Sequence, residues 1–451
     1  MHSAQSKMRI KIKELYYILG LLVMLLAACS EESATVGQTE DIAAAENVIV
    51  LGVKEVVAPE TRAEQQKGSI DFTKLTETGF GVYGYENDGY DPSSSEPTLF
   101  GGANKKVTFV TGGTAPTTSL DHPGSWEYSG TKKWTAGKKY TFFAYAPYMA
   151  EGGDAPGITS VKTDDTAGDP TIGYTVAENP ASSVDLLWGV RTDTKEKSGL
   201  PWIDVQKGQT ASAVLFTFYH ALCAVGFHAQ VIVDQKNDQD NLDDISRLGT
   251  IGDPNGCKVT LKSITITPTT SLYKSGVLNL RNTTAHQPLW PEKTGTIDKL
   301  VLNSASTIDA KLLDPNPSDF SDANPSNTSV MSNTSVPGIT ESANTQTIIK
   351  DDNLFMLIPQ EKQNYTISIE YFLTYKTETG YHRESKIGTA TIENLELVAG
   401  VKYYINLVLG LTTFKVTVDA GDWTEETQNT TVAIETGTSA SESLARKMGR
   451  R

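Results

Sequence analysis

Three closely spaced glycines, Gly79, Gly81 and Gly84, have the spacing of a cofactor-binding motif. In dinucleotide-binding folds such glycines follow a strand and open a helix, whose N-terminus holds the pyrophosphate. Here apolar and aromatic residues alternate through the motif, and the turn-forming sequence Asn-Asp-Gly follows soon after it. The pattern therefore predicts glycines within a strand, and we expect no cofactor.

The histidines and acidic residues have no spacing that favours catalysis or metal binding. His220 and His228 are eight residues apart in a predicted extended region, too far to share a metal without a third element. We expect His220 to be a core histidine. The acidic residues from Asp234 to Asp244 lack the glycine and terminal glutamate of a calcium loop, which favours a solvated turn. We expect neither an enzyme nor a metal site.

Cys29 has a clear chemical signal in the residues before it. A positively charged segment leads into the apolar run Leu15–Leu26, and two alanines directly precede the cysteine. The run is too short to span ~30 Å of hydrocarbon comfortably as a mature helix. The junction resembles the cleavage site of a bacterial lipoprotein, where the thiol is acylated and becomes the first residue. We predict a signal peptide over residues 1–28; the alternative is an ordinary secretion signal with a chance cysteine.

Lipid on Cys29 would tether the chain to a membrane. Several acyl chains on one residue give stable anchoring, whereas one chain binds only marginally. Glu31 and Glu32 follow, and they are similar to the surface-export tag of Gram-negative gut and oral anaerobes. We therefore expect a surface-exposed lipoprotein of the outer membrane.

Length and charge restrict the class of protein. A chain of 451 residues suggests two or three domains. The formal net charge is −15, and no basic tract follows the signal, which argues against nucleic acid and against peripheral binding to anionic lipid. Cys223 and Cys257 could form one disulfide or remain two buried thiols.

Apolar alternation predicts an all-β fold. Short segments rich in β-branched and aromatic residues recur between polar turns. They include Phe80–Tyr85, Tyr140–Tyr145, Val214–Phe218, Tyr365–Ile369 and Tyr403–Leu409. Convincing helical patterns are few, so we predict antiparallel β-sandwiches. A charged, polar stretch ending at residue 208 predicts a boundary between an N-terminal sandwich, 63–208, and a C-terminal one, 209–451.

The segment before the first sandwich has an apolar strand followed by an arginine. Val48, Val50 and Val53 lie in a run that is expected to pack into the sandwich. Arg62 follows in a Pro/Glu/Thr setting that we expect to be exposed. Because arginine is scarce in the chain, an arginine-specific protease could cut between Arg62 and Ala63 and find few other sites. The alternative is an ordinary first strand with a surface arginine after it.

A series of short motifs occurs in order along nearly the whole chain. They are Glu60–Ala63, Gly81–Tyr85, Trp126–Tyr128, Phe142–Pro147, Asp185–Trp188, Phe216–Leu222, Val259–Ile266, Met356–Gln360 and Gly400–Tyr403. Each motif is weak alone. In this order, and after a lipoprotein signal, the chain resembles the fimbrillins, the pilins of type V pili.

The resemblance implies two transthyretin-like antiparallel β-sandwich domains in tandem, in a subunit of an adhesive surface fimbria. By that similarity, residues 29–62 are a lipidated propeptide that an arginine-specific protease removes after Arg62. Loss of the strand Val48–Val57 would leave an apolar groove, which a C-terminal strand of another fimbrial subunit fills. The candidate donor strand contains Val432 and Ile434.

The C-terminal segment departs from a good donor strand. Val432 and Ile434 are a thin apolar set, and a polar tail follows them. Three alternatives stay open. The segment Phe414–Val418 could be the donor, the tail could be trimmed at an arginine, or the subunit could donate poorly, as a tip or accessory pilin would.

A second class of function is a non-polymerising surface lipoprotein, either a pilus anchor or a glycan-binding module. A glycan-binding module needs exposed aromatic side chains, and Trp126, Tyr128 and Trp134 could supply them. The same residues also fit the packing of a sandwich, which we favour.

Overall fold

The structure is a computed structural model that describes most of the chain. It describes residues 47–57, 69–111, 124–153, 155–208, 213–232, 258–304, 307, 346–347, 354–377, 380–410, 413–422 and 437–438. The acidic residues from Asp234 to Asp244 lie outside these ranges. Nearly all regular structure within them is β-strand, which confirms the predicted all-β class.

The first ten strands belong to the N-terminal half. Strands β1 to β10 are Leu51–Val56, Phe80–Asn87, Lys105–Thr111, Gly124–Glu127, Lys139–Ala146, Ile158–Val161, Thr171–Thr175, Leu187–Val190, Trp202–Val205 and Val214–His220. Helix α1 is Phe72–Thr78, and a 3₁₀ turn spans Pro180–Ser182.

Twelve further strands follow in the described part of the C-terminal half. Strands β11 to β22 are Cys223–Ile232, Lys258–Pro268, Ser275–Asn279, Leu289–Thr294, Leu300–Leu302, Gln346–Thr347, Phe355–Leu357, Gln360–Thr377, Gly380–Leu397, Val401–Gly410, Thr413–Asp422 and Gly437–Thr438.

Helix α1 is short because its sequence begins and ends it within two turns. The Asp71 carboxylate accepts a hydrogen bond of 2.7 Å from the Lys74 backbone N–H, which caps the first turn. Gly79 ends the helix at φ +70°, where its N–H donates to the Leu75 carbonyl. Leu75 is buried and packs the helix onto the first sheet's core.

The first sheet has the strand order β1-β10-β8-β5-β2-β3-β4, and β9 also pairs with β5. Strand β10 begins after the predicted boundary at residue 208, yet it hydrogen-bonds to β8 and β1 of the N-terminal half. The change of sheet therefore comes between His220 and Cys223, because the polar stretch before β10 is a connection within one sheet.

Three smaller sheets complete the described fold. Their orders are β16-β11-β20-β21-β22 with β17 on β11, β15-β12-β18-β19, and β14-β13-β7-β6. The last sheet joins the halves, because β7 from the first pairs with β13 from the second. The division into two transthyretin-like sandwiches stays a prediction.

Two strand pairs are parallel, whereas the sequence analysis predicted antiparallel sheets. Strand β1 runs parallel to β10, and β11 runs parallel to β20. Parallel neighbours need a long crossover between them, and here most of each half lies between the paired strands. Periodicity within a segment does not reveal the direction of its neighbour, so this feature was not predictable from the pattern.

The first sheet is buried on both faces. On one face its side chains join residues of the N-terminal segment and α1 in a group that we call the first-strand cluster. Its members include Ile49, Leu51, Val53, Val56, Leu75, Phe80, Phe142, Trp126, Trp134, Phe216 and Phe218. The opposite face, with Tyr83, Tyr85, Phe143, Tyr145 and Trp188, packs in a larger cluster with the other three sheets.

The spaced glycines serve packing within this sheet. Gly81 and Gly84 lie in β2, as predicted, while Gly79 ends α1. A Cβ atom on Gly84 would lie 2.3 Å from a ring carbon of Phe100, and one on Gly81 would lie 2.1 Å from the Tyr145 ring. Aromatic rings therefore occupy the space that these glycines leave.

Two searches of the described residues complete the description of the fold. Among them, no helix is both long and apolar enough to cross a membrane. Nor does the described part of the chain place three or more His, Cys, Asp or Glu side chains where they could hold a metal ion.

We expect Gly84→Ala to lower the free energy of unfolding by about 1–3 kcal/mol, because the added methyl group overlaps the Phe100 ring. Gly89→Ala is the matched control, since the nearest atom to its Cβ position is 3.8 Å away. Urea unfolding of both variants measures the difference. Equal losses of stability in the two variants would contradict a packing role for Gly84.

Candidate functional site

Strand β1 lies at an edge of the first sheet, paired within the described residues with β10 alone. Leu51 is the neighbour of Val214, and Val53 is the neighbour of Phe216. A bulge follows Val53 and shifts the register by one residue. The strand is thus attached through a single backbone ladder, and its other edge has no strand partner in the described part of the chain.

Burial of one face adds to this ladder. Ile49, Leu51 and Val53 are 0–1 % exposed, and Val56 is also buried. Four such side chains contribute roughly 6–12 kcal/mol gross, at about 1.5–3 kcal/mol each. Of the three valines predicted for the removable strand, only Val53 is fully buried.

Val48 and Val50 are half-buried and point away from the first-strand cluster. The prediction therefore placed the strand correctly but chose the wrong face for two of its residues. The run is apolar at every position from 48 to 51, so alternation could not identify the buried face. The exposed Lys54, one position after Val53, was the available signal.

A second segment holds the chain just before β1. The Ile49 N–H donates to the Lys132 carbonyl at 2.8 Å, and the Trp134 N–H donates to the Asn47 carbonyl at 2.8 Å. The Tyr128 hydroxyl donates to the Ile49 carbonyl at 2.7 Å. Burial raises the pKa of the Tyr128 phenol, so it keeps the proton that this bond needs.

The aromatic residues considered for glycan binding are therefore part of the support for β1. Trp126 and Trp134 are 5 % and 8 % exposed, and both belong to the first-strand cluster. The Trp126 ring packs against the rings of Phe80 and Phe109 at centroid distances of 5.2 Å. An exposed platform of Trp126, Tyr128 and Trp134 is wrong, because packing against the sheet covers them.

The C-terminal end of β1 meets a buried polar pair. The His220 Nε2 lies 2.9 Å from the Val57 carbonyl oxygen, and its Nδ1 lies 2.6 Å from Asp185 Oδ2. Asp185 Oδ2 also accepts a bond of 3.3 Å from the Ile70 N–H. His220 is a core histidine, as predicted, and the structure adds that it contacts the end of the first strand.

Several predicted sites lie outside the described residues. The description stops at Val57 and resumes at Ser69, so the predicted cleavage site falls between them along the sequence. The residues outside are Cys29, Arg62, Ala63, Val432, Ile434 and Cys257. Cys223 is described and is a buried free thiol, 3.4 Å from the Leu357 carbonyl oxygen.

The other donor candidate, Phe414–Val418, lies in β21 and pairs antiparallel with β20 of its own chain. Phe414, Val416 and Val418 are all buried. To act as a donor, this segment would have to leave a sheet in which it already buries an apolar face.

A family model described as fimbrillin-like matches residues 61–423. The chain belongs to the fimbrillin-like family. The resemblance inferred from the ordered motifs is thereby confirmed. The matched range begins after β1 and ends before the candidate donor residues Val432 and Ile434.

Solved structures support the fold of this fimbrillin-like protein. A fimbrial protein from Bacteroides vulgatus ATCC 8482 is similar over 84 % of this chain and 99 % of its own, with a TM-score of 0.58 and 20 % identity. A fimbrilin from Porphyromonas gingivalis W83 is similar over 85 % of this chain and 99 % of its own, with a TM-score of 0.36 and 10 % identity, and no conclusion rests on that likeness. No curated protein sequence matches.

Family membership supports a role as a fimbrial subunit at the cell surface. It also assigns the fimbrillin-like chain to a class of structural proteins rather than enzymes. Assembly with other fimbrial subunits is the corresponding expectation for its partners.

We expect Leu51→Ala to destabilise the intact protein by about 2–5 kcal/mol, because it removes a buried side chain from the first-strand cluster. Lys54→Ala on the exposed face of β1 is the control, and we expect a change within about 0.5 kcal/mol. Thermal unfolding of both variants measures these effects. A Leu51→Ala protein as stable as the control would mean that β1 contributes little to the sheet.

Proposed function

We propose that this fimbrillin-like protein is a structural or tip subunit of an adhesive surface fimbria that assembles by β-strand exchange. In this proposal Cys29 is lipidated during export to the outer membrane, and a protease then cuts after Arg62. The observation that supports it best is the position of β1, an edge strand with one ladder and a buried apolar face.

A cut anywhere in residues 58–68 would convert β1 into a separate, non-covalently bound segment. Its departure would open the edge of β10 and uncover Phe216 and Phe218 of the first-strand cluster. An open strand edge beside an apolar surface binds an added strand readily. Because such a contact joins different surfaces of two copies, repetition of it extends into a fibre.

The buried face of β1 indicates what a replacement strand must offer. Its apolar side chains occur at positions 49, 51, 53 and 56, a spacing of two, two and three residues. Val432 and Ile434 of the C-terminal segment would fill two of these four positions. A neighbouring subunit with a fuller apolar set would bind this groove better than a second copy of the same chain.

This mismatch favours a position near one end of the fimbria. A subunit that accepts a strand but donates poorly stops growth at its own donor side. The alternative donor in β21 would first have to give up its pairing with β20. We therefore propose a tip or accessory role in preference to the main shaft.

A pilus anchor is the second candidate. An uncut chain would keep both its lipid and β1, and the buried face of β1 would hold the strand in place. Such a protein could receive no strand at the β1 position, so it would stay monomeric at this site.

Treatment of the precursor with an arginine-specific protease should give a fragment that begins at Ala63 and forms multimers. Arg191 should resist, because it is buried and its guanidinium contacts Asp193 at 2.6 Å. Mass spectrometry of the new N-terminus and gel filtration measure the two steps.

Arg62→Ala is the control and should stay intact and monomeric. An excess of a peptide with the sequence of residues 47–57 should slow the formation of multimers, while a scrambled peptide should not. A precursor that resists the protease at Arg62, or a cut chain that remains monomeric, would favour the anchor instead.

A further inference from the structure

The buried pair of His220 and Asp185 bonds to both ends of the segment that contains the proposed cut. His220 contacts the Val57 carbonyl, at the end of β1, through Nε2. Asp185 contacts the Ile70 N–H, just before α1, through Oδ2. The two side chains also contact each other at 2.6 Å, so one pair joins residues on either side of positions 58–68.

The chemistry of these atoms fixes the role of the imidazole. A backbone carbonyl oxygen only accepts hydrogen bonds, so His220 Nε2 must donate to Val57. Asp185 lies against the other ring nitrogen and orients the ring, and its own Oδ1 accepts a 2.9 Å bond from the Leu186 N–H. Both side chains are almost fully buried, so water does not compete readily for these bonds.

We propose that His220, positioned by Asp185, is a latch that retains β1 after the chain has been cut and so delays the opening of the groove. The proposal rests on the proposed function, because it concerns the step between proteolysis and strand exchange. It assigns His220 and Asp185 a task that is separate from the packing of the sheet.

The location of the bond supports this task. A cut in residues 58–68 creates a new chain end near Val57, and new ends are where a strand begins to fray. The Val57 N–H donates to the Phe218 carbonyl at 2.8 Å, and the Val57 carbonyl is held by His220. Separation of β1 from this end must therefore break the His220 bond early.

The pair also keeps the two products together. Before the cut, the chain itself connects Val57 to Ile70. After the cut, the Val57–His220 and Asp185–Ile70 bonds remain, so the N-terminal product stays docked on the body of the protein. Strand exchange then depends on the lifetime of this docked state and not on proteolysis alone.

Two substitutions separate the latch from general stability. A glutamine places an amide NH₂ near the position of the histidine Nε2 and can still donate to Val57. An asparagine places its amide near Nδ1, so it can contact Asp185 but cannot reach Val57. We therefore compare His220→Asn with His220→Gln in the full chain.

To make the test independent of natural processing, a recognition sequence for a sequence-specific protease replaces part of residues 58–68. After cutting, gel filtration over time measures release of the N-terminal fragment. We expect His220→Asn to release it roughly 10- to 100-fold faster than the parent, the range for loss of one buried hydrogen bond, and His220→Gln to stay within about threefold.

Tyr145→Phe is the matched control, because it removes a buried hydroxyl on the opposite face of the same sheet, 2.8 Å from Asn104 Oδ1. It should leave the release rate unchanged. Release at the parent rate in His220→Asn, or equally fast release in His220→Asn and His220→Gln, would overturn the latch.

If His220→Asn folds poorly, hydrogen exchange of the uncut proteins at residues 50–57 replaces the release assay. Weaker protection there, with normal protection in β5, supports the latch, and a uniform loss overturns it. Failure of the proposed function looks different: the fragment leaves at a latch-dependent rate, but no multimers form.

Discussion

The attachment of β1 to β10 is the interaction on which the functional account depends. It combines one backbone ladder with the burial of a single apolar face, and no further strand covers the outer edge of β1 within the described residues. These two contributions are of the kind that any strand with suitable side chains can supply. The same groove can therefore hold a segment of its own chain or a strand of another, and the choice between them depends on rates and local concentration.

The rest of the sheet is built to survive the loss of this strand. Strand β10 keeps its antiparallel partner β8, and the opposite face of the sheet stays packed against the other three sheets. The losses fall on the first-strand cluster, where Phe80, Phe216 and Phe218 form a group of ring contacts. A preformed groove lined by these rings would bind a new strand at a lower entropic cost than a groove that has to form first.

Sequence patterns predicted the class of fold and the existence of the first strand, because both depend on local alternation of side chains. They did not predict the sheet to which Val214–His220 belongs, since that depends on pairing with residues far away in the chain. Trp126 and Trp134 fitted two readings, because an aromatic residue in a strand has the same local pattern whether it is covered or exposed. Asp185 and His220 are 35 residues apart, and no spacing rule connects them.

The central claim is that β1 must leave before another strand can bind, and a reversible cross-link tests it most directly. Leu51 and Val214 are neighbours in the β1–β10 pair, so Leu51→Cys with Val214→Cys can lock the strand by a disulfide. We expect the cut, oxidised protein to remain monomeric and to form multimers once a reductant opens the bond. Equal multimer formation in the oxidised and reduced states would contradict the account.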